Sequence, residues 1–327
     1  MDTVLIVLIV LALFFDLLNG IHDSSNIVAT MISSRAFSPR FALGVTALAE
    51  FAGPFIFGVA VATTIGDKVV TAEAITMNVL LAALMSAILW NLLTWFLGIP
   101  SSSSHALIGG LVGAATMGAG FESIKLAGIY TVLIALFSSP IIGLLLGFLF
   151  TRLIFFFARW ASPRINIFFQ KSQLVTAVAL ALSHGTNDAQ KTMGIITLGL
   201  VTAGVIPSFA VPFWVVAASA GAIALGTSLG GWRLIKTLGG KFYKIRPVHG
   251  FSSQVTSATV ILFASAVGGP VSTTQVVSSS IMGAGSAERV SMVRWGVAKD
   301  ILTAWLVTIP STAGIAAGLF WVIEQLV

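Results

Sequence analysis

Apolar stretches, most of them long enough to cross a bilayer as a helix of about 20 residues, recur along the chain between short polar turns. They predict at least ten membrane spans, at about 3–33, 41–64, 75–97, 103–119 and 124–150, then 174–205, 210–230, 251–269, 274–284 and 295–323. The runs at 103 and 274 are short for a full crossing, and also read as halves of re-entrant hairpins. The expected fold is an all-α polytopic membrane protein.

Composition sharpens this picture. Of 327 residues, 57% are hydrophobic and 9% are charged, against roughly 25% charged in an ordinary soluble domain. Little remains for an extramembrane enzyme. No G-x-x-x-x-G-K-[ST] occurs, so any pumping is expected to run on a gradient rather than on nucleotide hydrolysis. There is no H-E-x-x-H, and the Ser104–His105 pair lacks an orienting third group, so the chain is not expected to be an enzyme. The absence of cysteine excludes disulfides, thiolate metal sites and cysteine catalysis. The opening MDTVLIVLIVLALFF lacks the positive region and small-residue cleavage site of a signal peptide, and reads as a retained first helix.

The net charge of +6 raises nucleic acid as a partner, but the placement of the cations removes it. With the N-terminus outside, Arg35 and Arg40 fall in one cytoplasmic turn, and Arg152, Arg159, Arg164 and Lys171 in a second. Arg233, Lys236, Lys241, Lys244 and Arg246 fall in a third, and Arg289 and Arg294 in a fourth. Only Lys68 and Lys125 lie in outside turns, while Lys191 and Lys299 sit within apolar runs. The positive charge is topogenic. Trp160, Trp232 and Trp295 each adjoin one of these arginines, as interfacial anchors do.

The two halves resemble each other. Gly20-Ile21-His22-Asp23 matches Gly185-Thr186-Asn187-Asp188 at an offset of 165. Pro100-Ser101-Ser102-Ser103-Ser104-His105 matches Pro270-Val271-Ser272-Thr273-Thr274-Gln275 at 170, and Gly113 with Pro140 matches Gly283 with Pro310 at the same offset. Residues 1–165 and 166–327 thus read as two copies of one unit. Five spans per copy, an odd number, would insert the second copy upside down. Inverted repeats with broken helices are the architecture of many gradient-driven transporters, whose sites lie near mid-membrane where the copies meet.

Asp23 and Asp188 lie deep in apolar segments, where an ionised carboxylate costs several kcal/mol unless paired or hydrated. Each admits two readings: the N-cap of a half-helix that follows a glycine break, or a cation ligand. Retention of Gly-x-x-Asp in both copies favours the second. Asn26 and Asn187 would complete an oxygen-rich shell suited to Na⁺. In each copy a proline precedes hydroxyls, Ser102, Ser103 and Ser104 in one and Ser272, Thr273 and Thr274 in the other. There free N–H groups and the positive end of a new helix would cradle an anion; the plainer reading is capping and tight interhelical packing. An anion beside two carboxylates is repulsive unless cations enter with it, which is a physical reason for symport. Lys191 suits either the anion or Asp188. His22, His105 and His184 flank the motifs and read first as core histidines, with proton carriage the alternative; His249 reads as structural. Glu50 has no evident partner in the sequence and is a weaker candidate, and Asp300 follows Lys299.

At these motifs the chain resembles the inorganic phosphate transporter (PiT) family, which carries one GANDVANA-like signature per half. The second copy here is GTNDAQKTMG, Gly185 to Gly194; the first, GIHDSSNIVAT from Gly20 to Thr30, places His22 where the signature has Asn. The serine clusters and VRWGVAKDILTAWLVTIP extend the resemblance over nearly the whole chain. The resemblance implies cotransport of phosphate with sodium or with protons, and sulfate in related members. It also implies two inverted repeats with about 10–12 transmembrane segments, and a homodimer. The expectation is therefore a multi-pass transporter of the plasma (cytoplasmic) membrane that moves inorganic phosphate with Na⁺ by alternating access and needs no cofactor. Proton coupling, sulfate as substrate and an anion channel are the alternatives.

Overall fold

The structure, a computed structural model, describes residues 3–240 and 242–326, with the backbone alone at 66 and 67. Lys241, assigned above to a cytoplasmic turn, lies outside the described residues. Every one of the ten apolar runs contains a helix. The first six helices are α1 (Thr3–Ser33), α2 (Pro39–Phe57), α3 (Ala60–Lys68), α4 (Met77–Leu97), α5 (Ser103–Ala119) and α6 (Leu126–Ala158). The next six repeat their order of long and short: α7 (Ile165–Thr202), α8 (Phe213–Leu229), α9 (Trp232–Gly240), α10 (Pro247–Ala266), α11 (Thr273–Glu288) and α12 (Trp295–Leu326).

Among the described residues, six of these helices are long and apolar enough to cross a membrane, and α8 with α9, bent by 71° at their junction, reach that length only as a pair, a broken span or a re-entrant loop. The shortfall from ten runs has a physical cause. Helices α5 and α11 have 17 and 16 residues, about 25 Å at 1.5 Å per residue against a hydrocarbon core of about 30 Å. Helix α10 has the length but is diluted by Ser252, Ser253, Gln254, Thr256 and Ser257, all buried in protein. Polar groups are tolerated at membrane depth where protein, not lipid, surrounds them.

The packing is reciprocal. Helix α1 packs on α8 and α9 as α7 packs on α2 and α3, and α5 lies against α12 as α11 lies against α6. Each half thus completes its contacts with the other. Large apolar side chains such as Leu48, Ile134, Phe157 and Phe263 point outward, while Asp23, Glu50, Asp188 and Lys191 are buried. That inversion of a soluble protein's pattern is what lipid as solvent selects.

The glycine breaks are a correction. Helices α1 and α7 run unbroken through Gly20 and Gly185, so neither Asp23 nor Asp188 is an N-cap. The glycines serve close approach instead. A Cβ on Gly20 would strike the backbone of Ile223, Gly226 and Thr227 in α8, and one on Gly185 would strike the Glu50 backbone in α2. Gly226 and Gly53 face back onto α1 and α7 in the same way. The breaks lie at the prolines. After Pro100 and Pro270 the chain starts anew at α5 and α11, where the Ser102 Oγ accepts from the His105 N–H at 3.2 Å and the Ser272 Oγ from the Gln275 N–H at 3.3 Å. Pro140 and Pro310 sit inside α6 and α12.

Candidate functional site

The first turns of α5 and α11 meet. His105 and Gln275, which occupy matching positions in the two copies, contact each other through Nδ1 and Nε2 at 3.2 Å, and the Ser104 hydroxyl donates to the Val271 carbonyl at 2.9 Å. Two helix N-termini and their hydroxyls therefore converge, as the anion-cradle reading requires.

The first turn of α11 also reaches both aspartates. The Thr274 hydroxyl donates to Asp23 Oδ1 at 2.9 Å, and the Thr273 hydroxyl to Asp188 Oδ2 at 3.0 Å. Asn26 Nδ2 donates to Asp23 Oδ1 at 2.8 Å and to Thr274 Oγ1 at 3.1 Å. Asn187, one residue before Asp188, turns its amide nitrogen to Ser265 Oγ at 2.9 Å and the Gly269 carbonyl at 3.3 Å on the α10 side. Lys191 Nζ lies 2.5 Å from Asp188 Oδ1, so in this conformation it neutralises that carboxylate.

His184 joins the halves. Its Nε2 lies 3.3 Å from Asp188 Oδ2 and 3.8 Å from Asp23 Oδ2, and its Nδ1 is 2.6 Å from Glu50 Oε1. Asp23, His184 and Asp188 offer atoms within 4.8 Å of one another, a constellation able to hold a metal ion. Glu50, which lacked a partner in the sequence, has two here: His184 and the Thr227 hydroxyl of α8. Thr227, an isolated threonine in an apolar run, carries no local signal in the sequence. His22, at the position that departs from the family signature, holds Nδ1 3.7 Å from Asp23 Oδ1.

All eleven site residues expected from the sequence are buried, Ser103 being the most exposed at 6%. Three of the expected cation ligands nevertheless keep an oxygen without a hydrogen-bond partner: Asp23 Oδ2, Asn26 Oδ1 and Asn187 Oδ1. Buried acceptors are rarely left so, and each of these belongs to a residue of the two Gly-x-x-Asp motifs. Ser103 and Ser104 make no bond to either aspartate, so the hydroxyls of α5 and α11 play different parts in this conformation.

The sequence pattern of the Phosphate transporter family matches twice, over residues 19–164 and 157–316. The chain belongs to that family. As a family member it is a transporter, not an enzyme, and a multi-pass membrane protein. A relative from Bacillus subtilis (strain 168), named "Probable low-affinity inorganic phosphate transporter", is 45% identical over 327 residues, covering 98% of this transporter and 97% of the relative. One of the same name from Rhizobium meliloti (strain 1021) is 45% identical over 315 residues, covering 96% of this transporter and 94% of its own chain. A solved structure described as "The sodium-dependent phosphate transporter" superposes with a TM-score of 0.89 at 25% identity, covering 100% of both chains. Both the repeat and the all-helical architecture expected from the sequence agree with these matches.

Proposed function

We propose that this protein is a Na⁺-coupled symporter of inorganic phosphate in the plasma membrane, working by alternating access between an N-terminal half, 1–165, and an inverted C-terminal half, 166–327. The observation that carries the reading is the set of unpartnered buried oxygens on Asp23, Asn26 and Asn187. Na⁺ at these oxygens and at Asp188 supplies the missing charge. Its arrival also explains coupling. In the present arrangement Thr273 and Thr274 spend their hydroxyl protons on the two carboxylates. Cations on those carboxylates release the hydroxyls to the phosphate, beside Ser102, Ser103, Ser104, Ser272 and the N-termini of α5 and α11. Lys191, drawn less strongly to Asp188 once Na⁺ is there, adds charge to the anion. Each ligand improves the site for the other, and the linkage is reciprocal. The reading is supported by the relatives' names for phosphate and by the solved structure's description for sodium.

The test is labelled phosphate uptake into proteoliposomes, with sodium and pH gradients imposed separately. Accumulation driven by sodium alone is expected. Accumulation driven by a pH gradient without sodium would replace Na⁺ by H⁺, effective competition by sulfate would change the substrate, and flux that never exceeds the electrochemical gradient would make the protein a channel. Asp188→Asn is expected to abolish sodium-dependent uptake; uptake at the normal rate refutes the assignment of Asp188.

A further inference from the structure

Two turns before Asp23 on α1, Asp16 is fully buried, and neither of its carboxylate oxygens has a hydrogen-bond partner. Seven residues of helix set it about 10 Å from Asp23 along the axis and on nearly the same face. No lysine, arginine or histidine pairs with it among the described residues: the Lys191 ammonium is committed to Asp188. Its surroundings contain the Thr192 hydroxyl of α7, and beyond it the charges of Asp188, Lys191 and Glu50. The Thr192 Oγ1 is itself buried without a partner. One turn on, Asn19 accepts from Asn91 Nδ2 at 3.1 Å, leaving Asn19 Nδ2 and Asn91 Oδ1 unsatisfied.

A carboxyl in mid-helix that caps nothing, pairs with no cation and faces at most the Thr192 hydroxyl is not accounted for by packing. The second copy supports this: the position matching Asp16 at the offset of 165 is Ala181, also buried. The fold therefore builds the equivalent helix contact with a methyl group. A bare carboxylate in such surroundings carries a large desolvation penalty unless positive charge reaches it. Oxygen ligands of this hardness accept a small cation rather than an anion or a soft metal.

We propose that Asp16 is a further station for a coupling cation, accepting one Na⁺ or one H⁺ per transport cycle, separate from the Asp23–Asp188 centre. The inference rests on the symport reading above and adds one positive charge to its stoichiometry. In that role the station breaks the symmetry of the two halves, since only α1 carries it.

The test compares the purified wild-type transporter with Asp16→Asn, which keeps the shape and removes the charge, and Asp16→Glu, which restores a carboxyl. In proteoliposomes, labelled phosphate, ²²Na⁺ and a lumenal pH dye are followed together with the transported charge. Asp16→Asn is expected to move one positive charge fewer per phosphate, and Asp16→Glu to regain it. A fall of one in the Na⁺:phosphate ratio identifies sodium; an unchanged sodium ratio with one proton fewer identifies H⁺. If Asp16→Asn transports too slowly to follow, the same count is made in detergent, from ²²Na⁺ bound and protons taken up on adding inorganic phosphate, and one cation fewer is again expected. Equal cation counts in wild type and Asp16→Asn, by either route, overturn the proposal. Failure of the symport reading shows separately, as wild-type uptake indifferent to both gradients.

Discussion

Replacing Lys191 by methionine isolates the buried ion pair at the centre of the site. Lys191 Nζ and Asp188 Oδ1 are 2.5 Å apart and both residues are 0% exposed, so methionine leaves a carboxylate stripped of its strongest partner in a dry interior. Losing one member of a buried pair costs about 3–5 kcal/mol. The Thr273 hydroxyl at 3.0 Å and His184 Nε2 at 3.3 Å remain on the other oxygen, which puts the expected loss at the lower end, about 3 kcal/mol. At roughly 2 °C per kcal/mol for a chain of this size, the unfolding midpoint falls by about 6 °C. The eight tryptophans supply a fluorescence signal for thermal unfolding in detergent micelles. The double variant Asp188→Asn with Lys191→Met removes both charges, and replacing a whole buried pair is often neutral for stability. It is expected to melt within about 2 °C of wild type, while remaining inactive in sodium-dependent uptake. A Lys191→Met midpoint within 2 °C of wild type, or a double variant as unstable as the single one, would refute the reasoning that this contact holds opposite charges in a desolvated core.

Two further outcomes follow from the geometry. Gly185→Ala is expected to force α7 off α2, because its Cβ would meet the Glu50 carbonyl carbon and Cγ, each at 2.8 Å; overpacking of this kind costs about 1–3 kcal/mol. Uptake should be lost as Glu50 leaves His184, whereas Gly44→Ala, with nothing within 4 Å of the added carbon, should match wild type in both melting and transport. Thr274→Val keeps the shape but removes the hydroxyl that joins Asp23 to Asn26, a bond to a charged group worth about 1.5–3 kcal/mol. Phosphate uptake at limiting substrate should drop at least tenfold, and an unchanged rate would remove Thr274 from the site.

The hydrophobic pattern alone set the helical membrane class, because burying backbone polar groups in lipid leaves only self-satisfied helices, but it overcounted the spans, ten against six or seven among the described residues. It also exposed the repeat, since matched prolines, glycines and aspartates are visible without any contact. The site motifs were legible for the same reason: a charge in an apolar run stands out wherever it falls. What those residues touch was not legible. Glu50 found His184 and Thr227 at separations of 134 and 177 residues, and Thr273 and Thr274 turned to carboxylates contributed by both halves. The sequence leaves helix breaking open at Gly20 and Gly185, because a glycine's effect depends on the surface opposite it, and that surface belongs to another helix. Asp16 carried the same local signal as Asp23, a carboxyl within an apolar run, but no repeated motif drew attention to it. Local sequence decides which segments enter the bilayer and which groups resist being there; only the packing of one half against the other decides which of those groups are satisfied, because their partners come from distant stretches of the chain.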